Sequence, residues 1–304
     1  MPDTGVLVMA YGTPRSRAGL LDYYTDIRRG SPPPPELLDE LASRYDAIGG
    51  ISPLFERTES QRAAIAGALE GVAPGQFRVA LGQKHAGPFI EDGVASLAEA
   101  GVDRVVGLVL APHYSRASVG QYLARAGEAC GGLDVAFTGI ETWHLLPEFV
   151  AFLAAAVAEA RTQLPERHKV LFTAHSLPER VLEGDPYPSQ LRATAEAVAR
   201  RTGLDPWSDW TLCWQSAGRT GDAWRGPDIN EVLVDLADTG RSDGVLVCAQ
   251  GFVADGLEVL YDIDIQARET ARELGLALVR TRSLNDDARV MRGLANLVAA
   301  CAAS

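Results

Sequence analysis

Residues Glu148–His175 read EFVAFLAAAVAEARTQLPERHKVLFTAH. Glu148–Leu164 carries Ala, Leu, Val and Phe at helical spacing between acids and an arginine, the pattern of a helix with one apolar face. Pro165 breaks that pattern, and Lys169–Ala174 follows as a short, strongly apolar run that ends at a histidine, the pattern of a buried strand. The same alternation recurs along the chain. Its strand-like runs are GVLVMA (5–10), FRVALGQ (77–83), DRVVGLVLA (103–111), DVAFTG (134–139), KVLFTA (169–174), WTLCW (210–214), GVLVCA (244–249) and LALVRT (276–281). Helical segments such as RAAIAGALEGV (62–72) lie between most of them. Strands alternating with helices predict an α/β chain whose parallel sheets are covered on both faces, and these runs suffice for two sheets of about four strands each.

In open parallel sheets ligands bind beyond the carboxyl ends of the strands. Four runs end there on a residue with chemistry: VLVMA runs into Tyr11, ALGQK into His85, VLAP into His113 and VLFTA into His175. A lone strand-end histidine is ordinarily a hydrogen-bonded structural residue, but four such residues at one rim point to a site. Phosphate-binding signatures are absent: there is no G-x-x-x-x-G-K-[ST], and no G-x-G-x-x-G follows the first strand.

The totals narrow the choice. The chain has 304 residues, 47% of them hydrophobic and 22% charged, enough for one large α/β unit or two ordinary domains. A formal net charge of −12 argues against a general nucleic-acid binder or a protein held to anionic membrane, since both need positive fields. Cys130, Cys213, Cys248 and Cys301 show no C-x-x-C spacing, so neither a zinc knuckle nor a disulfide framework is expected. No signal peptide and no apolar run near the ~18 residues of a membrane span are found, which predicts a cytoplasmic protein.

One stretch resists a purely structural reading. In GFVADGLEVLYDIDIQARE (251–269), acids sit among leucines and valines. At 100° per residue, Asp255, Glu258, Asp262, Gln266 and Glu269 share a narrow band with apolar flanks. A solvated face is one reading. The other is a cation path, because carboxylates in apolar surroundings are costly unless a cation satisfies them. Oxygen ligands plus an imidazole suit a divalent first-row ion, with His175 as the nitrogen partner.

VMAYGTP (8–14), YYTDIRRG (23–30), RYDAIGGISPL (44–54), GQKHAGPFIED (82–92), APHYSRASVGQY (111–122), TAHSLPERV (173–181), GDPYPSQL (184–191), WQSAGRTGDAWRGPDI (214–229) and GFVADGLEVLYDID (251–264), in that order, resemble the ferrochelatase family over nearly the whole chain. Within it they are most similar to the monoderm bacterial branch, which inserts Fe²⁺ into coproporphyrin III. The resemblance implies two Rossmann-like domains, each a four-stranded parallel sheet flanked by helices, with a porphyrin cleft between them. The first would hold 1–112 with 281–304 packing back, the second 113–280. It implies His175 and Glu258 as the catalytic pair, both at the metal, with Asp262 extending the ion's approach along a helix with a π-type widening. Tyr11 resembles an axial tyrosine, and Arg28, Arg44, Tyr45, Ser52 and Tyr122 match propionate-contacting positions. His85 and His113 would support the cleft.

The sequence departs from the family's pattern at Gln266, where close relatives carry an acid, and at Gly256, where a histidine is usual. No tightly bound cofactor is expected, since Fe²⁺ is a substrate. Cys301 stands alone at the C-terminal end, so the iron–sulfur cluster of some actinobacterial relatives is not expected. The expected partners are the porphyrin and Fe²⁺, with no nucleic acid and no membrane insertion, and the expected state is a monomer. Two other functions stay open at this point: a chelatase for protoporphyrin IX or for a corrin precursor, and a haem-binding carrier without chemistry. A carrier would need Tyr11 but not His175 and Glu258 together.

Overall fold

The computed structural model describes residues 4–303, and a strand forms at each of the eight apolar runs. They are β1 Thr4–Ala10, β2 Phe77–Gln83, β3 Arg104–Val109, β4 Ala136–Ile140, β5 His168–His175, β6 Trp210–Gln215, β7 Gly244–Cys248 and β8 Ala277–Arg280. They form two four-stranded sheets, ordered β2-β1-β3-β4 and β6-β5-β7-β8, with every neighbouring pair parallel. The two orders are one topology used twice. In each, the chain leaves an inner strand for one edge and then crosses to the other side, so the order reverses between β1 and β3 and again between β5 and β7. Crevices open at such reversals.

Alternating side chains cover both faces of each sheet. Val6 and Val8 of β1 point into one core cluster, and Leu7 and Met9 into another behind it. The first cluster also takes Val170, Phe172, Leu246 and Cys248 of the second sheet, with Phe149, Phe152, Leu153 and Val157 of the helix Pro147–Arg161. One continuous core therefore joins the two sheets, and each fully buried side chain of this size contributes about 1.5–3 kcal/mol.

The chain's end returns to the first sheet. Asp287 caps the helix Ala288–Ala302 by accepting from the backbone N–H groups of Arg289 and Val290. Val290, Leu294 and Val298 of that helix share a core with Ile65 and Leu69, and Arg104 donates to the Ala302 carbonyl at 2.8 Å. The expected first domain, 1–112 with 281–304, stops short of β4. In the structure β4 pairs with β3 in register, so the first sheet takes its fourth strand from beyond residue 112, through the crossover helix Val119–Gly131.

A small helical pair, Leu20–Ile27 and Pro35–Ala47, stands over the crevice. Pro35 occupies the first helical turn, where its missing N–H costs nothing. At the other end Gly49 and Gly50 both adopt φ +103°, a conformation open to glycine, and Gly50 N–H returns to the Tyr45 carbonyl at 2.8 Å. Leu20, Ala42 and Tyr45 pack against Leu257, which brings Arg44 and Tyr45 to the entrance of the acidic segment.

Candidate active site

The strand ends converge on a cavity of about 620 Å³. Ala10 and Tyr11 at the end of β1, Lys84 and His85 after β2, Val109–His113 from the last residue of β3 onward, His175 of β5 and Gly251–Ala254 after β7 all line it, together with Glu258. The four residues read as strand-end candidates therefore face one space. A second cavity of about 230 Å³ adjoins it and shares Tyr11, His175 and Glu258, adding Glu40, Arg44, Tyr45, Ser216, Arg219 and Asp262. Tyr11 comes from the first sheet, His175 from the second.

His175 is held in one tautomer by the adjoining backbone. Nδ1 lies 2.6 Å from the Ser176 carbonyl, which can only accept, so Nδ1 carries a proton and, in the neutral ring, Nε2 is the nitrogen with the lone pair. Ser176 is itself fixed by donating from Oγ to the Arg225 carbonyl at 2.8 Å.

Glu258–Ala267 is a π-helix, in which the Arg268 N–H reaches back five residues to the Ile263 carbonyl. Val259, Ile263 and Ala267, four apart, are fully buried against the second sheet. That phase leaves Glu258 and Asp262, also four apart, on the cavity side. Gln215 at the end of β6 donates to the Glu258 carbonyl at 2.9 Å and fixes the first turn.

The acidic band is shorter in the structure than on an ideal helix. Asp255 precedes the helix and is bound elsewhere: Ser283 Oγ and Asn285 Nδ2 donate to its carboxylate at 2.7 and 2.9 Å, with Arg280 3.7 Å away. Glu269 is exposed and pairs with Arg272, and Gln266 is exposed. Glu258 and Asp262 remain. Among the described residues no three acids, histidines or cysteines gather closely enough to hold a metal ion.

Asp262 is only 6% exposed. Ser216 Oγ donates a short hydrogen bond to its Oδ2, and Arg44 stands 3.7 Å from its Oδ1. Burial raises its carboxyl to about 6; the Ser216 bond opposes that rise, the Glu258 charge adds to it, and Arg44 and His175 oppose it. A raised carboxyl means that the folded chain prefers the protonated form. The stabilisation is complete below the ordinary value of 3.8 and is lost as pH rises through about 6. Asp262→Asn is therefore expected to melt above the unsubstituted protein at pH 8, by roughly 2–3 kcal/mol of stability, with the gap closing at pH 4. Melting curves at the two pH values check this, and a lower melting temperature for the variant at pH 8 would count against it.

The tyrosines behave as neutral phenols. Tyr11 is 38% exposed, but into the cleft, and burial together with the Glu258 charge pushes its phenol well up. Its ring meets His85 edge-on at 4.7 Å, and His85 Nδ1 is 2.6 Å from Asp26. Tyr45 bonds Thr13 at 3.0 Å and is pushed up to about 12, chiefly by burial. Tyr122 lines the larger cavity, and burial raises it too. His113 is buried, bonded to Thr194 at 3.0 Å, and packed among His144, Phe149 and Tyr187.

Two expected propionate contacts lie outside the lining of both cavities. Arg28 is exposed and reaches the Ser31 carbonyl, while its neighbour Arg29 lines the larger cavity. Ser52 is fully buried and accepts from the Leu54 N–H at the start of the helix Leu54–Val72. The structure adds residues that sequence reasoning missed. Lys84, Arg29 and Arg125 outnumber the acid Asp26 at one end of the larger cavity, and Arg125 is paired with Glu91 at 2.8 Å. Lys84 bonds Gln121 at 2.6 Å and lies 5.1 Å from the Tyr122 ring centre, and burial, with Arg125 and Arg29, lowers its ammonium to about 8.

The profile of the ferrochelatase family matches residues 3–301. The coproporphyrin III ferrochelatase of Halalkalibacterium halodurans is 40% identical over 301 residues, covering 97% of this chain and 96% of that one. The ferrochelatase of Herpetosiphon aurantiacus is 42% identical over 292 residues, 93% of this chain and 94% of its own. Among solved structures, the cobalt complex of the sirohydrochlorin chelatase from Bacillus subtilis subspecies spizizenii superposes with a TM-score of 0.55 at 12% identity. That match covers 100% of this chain and 96% of the other, a likeness of fold.

Proposed function

The chain belongs to the ferrochelatase family, and from that premise we propose that it inserts Fe²⁺ into coproporphyrin III, yielding the iron porphyrin in haem biosynthesis. It is an enzyme, and its substrates are a porphyrin and a metal ion. The observation that carries the assignment is the pairing of His175, with Nε2 left as an acceptor, and Glu258 on the walls of one cavity that also holds Tyr11.

Insertion requires the ion to shed its waters, the macrocycle to bend and two pyrrole protons to leave. His175 would accept a pyrrole proton at Nε2, the nitrogen its tautomer leaves open in the neutral ring. Glu258 would receive the ion or relay the proton, and Asp262 would extend the approach. Tyr11 would meet the product iron from the first lobe. Propionates would be met by Arg44, Tyr45 and Tyr122, with Lys84, Arg29 and Arg125 giving the cavity a cationic end suited to a substrate with four carboxylates. Arg28 and Ser52 belong to the family pattern, and they would act there only after moving toward the cavity.

The protein would act as a cytoplasmic monomer without a tightly bound cofactor or an iron–sulfur cluster, and without nucleic-acid or membrane partners. Among the described residues no helix is long and apolar enough to cross a membrane. The test is anaerobic Fe²⁺ supplied with coproporphyrin III or protoporphyrin IX, followed by absorbance. Faster turnover is expected with coproporphyrin III; preference for the two-propionate porphyrin would overturn the substrate assignment.

A further inference from the structure

The smaller cavity contains an arrangement that the roles above leave unused. Asp262 Oδ2 is occupied by Ser216, so Oδ1 is the oxygen left for a cation. Arg44 Nη1 stands 3.7 Å from that Oδ1, close enough to be an ion pair and too far to be a hydrogen bond. Its other nitrogen, Nη2, makes a true bond to Glu40 Oε1 at 2.8 Å, and the guanidinium lies 5.2 Å from the Tyr261 ring centre. Glu40 is shared: Arg219 pairs with its Oε2. Two guanidiniums thus answer Asp262 and Glu40 beside His175, and a dication entering there meets Glu258 as the one carboxylate of this lining with no arginine paired to it among the described residues, instead of three such carboxylates.

We propose that Arg44 couples the two substrates, neutralising Asp262 in the empty enzyme and releasing it when a porphyrin carboxylate draws the guanidinium away, so that porphyrin binding opens the metal's approach. This rests on the proposed reading, in which Arg44 answers a propionate. The weak link is the one that must break: the 3.7 Å contact has no hydrogen bond to lose, whereas the 2.8 Å bond to Glu40 keeps Arg44 anchored as it turns. With Arg44 on the propionate, Asp262 Oδ1 is left to the incoming ion. Arg44 is a substrate-binding residue in this scheme: it touches a porphyrin carboxylate and acts on the metal only through Asp262.

Linkage gives the test, because coupling between two ligands is reciprocal. Zn²⁺ affinity is measured by calorimetry on the whole protein, with and without Ni(II) coproporphyrin III, whose carboxylates are free but whose four nitrogens already hold an inert ion and so cannot take up Zn²⁺. In the unsubstituted protein the porphyrin is expected to tighten Zn²⁺ binding about tenfold, and Zn²⁺ to tighten porphyrin binding by the same factor. Arg44→Leu is expected to bind Zn²⁺ tightly without porphyrin and to lose the coupling in both directions. Arg44→Lys keeps the charge but not the two-pronged grip, and is expected to retain part of it. Coupling that is absent from the unsubstituted protein, or unchanged in Arg44→Leu, overturns the proposal. Failure to metallate coproporphyrin III with Fe²⁺ would instead overturn the reading beneath it, so the two failures are separable.

Discussion

Replacing His175 by Ala is expected to slow metal insertion by about 10³-fold while leaving porphyrin affinity nearly unchanged. Three features make the effect specific. The ring's one hydrogen bond is to the Ser176 carbonyl in its own strand–loop junction, so nothing distant depends on it. The Tyr187 hydroxyl reaches the backbone carbonyl of residue 175, which the substitution keeps. The nearest aromatic ring, Phe252, is 6.4 Å away between centroids, so little packing is lost. Melting temperature should therefore stay within a degree or two, and fluorescence titration should show porphyrin still bound. The lost group is a proton acceptor, so added imidazole should restore part of the rate with a pH dependence near that of free imidazole. Turnover equal to that of the unsubstituted enzyme would remove His175 from the mechanism.

How much of this could be read from sequence depended on whether the signal was local. β1 and β5 were legible because strands buried on both faces need apolar residues at consecutive positions, and VLVMA and VLFTA have them. The candidate cavity was partly legible: chain direction in a parallel sheet sends every strand's end to one side, so Tyr11, His85 and His113 had to converge, whereas His175 joins them from the second sheet, whose strand ends line the same space. The acidic band was half legible. Counting from Asp255 assumed that the helix already existed there, but it begins after Gly256, and Asp255 is held instead by Ser283, Asn285 and Arg280. Nothing near residue 255 announces partners some thirty positions away. The same holds for Glu40, Arg219, Lys84 and Arg125: a single charge on a helix or loop has no pattern, and only the folded chain shows which charges face the cleft. The limit at residue 112 missed β4 for a related reason, since a crossover helix looks alike whether it returns to the same sheet or leads to a new one.

Gly251→Ala tests the placement of His175 without touching its ring. Gly251 follows β7 and crosses behind the end of β5, with its N–H on the Thr173 carbonyl at 3.1 Å. A Cβ there would lie 2.6 Å from the Ala174 Cβ and 2.8 Å from its Cα. Ala174 is buried and in the ladder with Trp214, so neither backbone can retreat freely. Overpacking of this kind costs about 1–3 kcal/mol. The strain has one direct outlet, because displacing Ala174 displaces His175. A shift of about 1 Å in a catalytic group can cost about 10²-fold in rate, so insertion should fall by that order while the melting temperature drops several degrees. Gly256→Ala is the matched comparison on the same cavity wall. Its Cβ would meet Glu258 Oε2 at 3.4 Å and Leu54 at 3.7 Å, ordinary contacts, and its φ is not positive, so insertion should stay within about twofold. Equal loss in both variants would mean that any added methyl in this wall disrupts the site. Loss in the first alone ties the rate to the position of one imidazole at the end of β5.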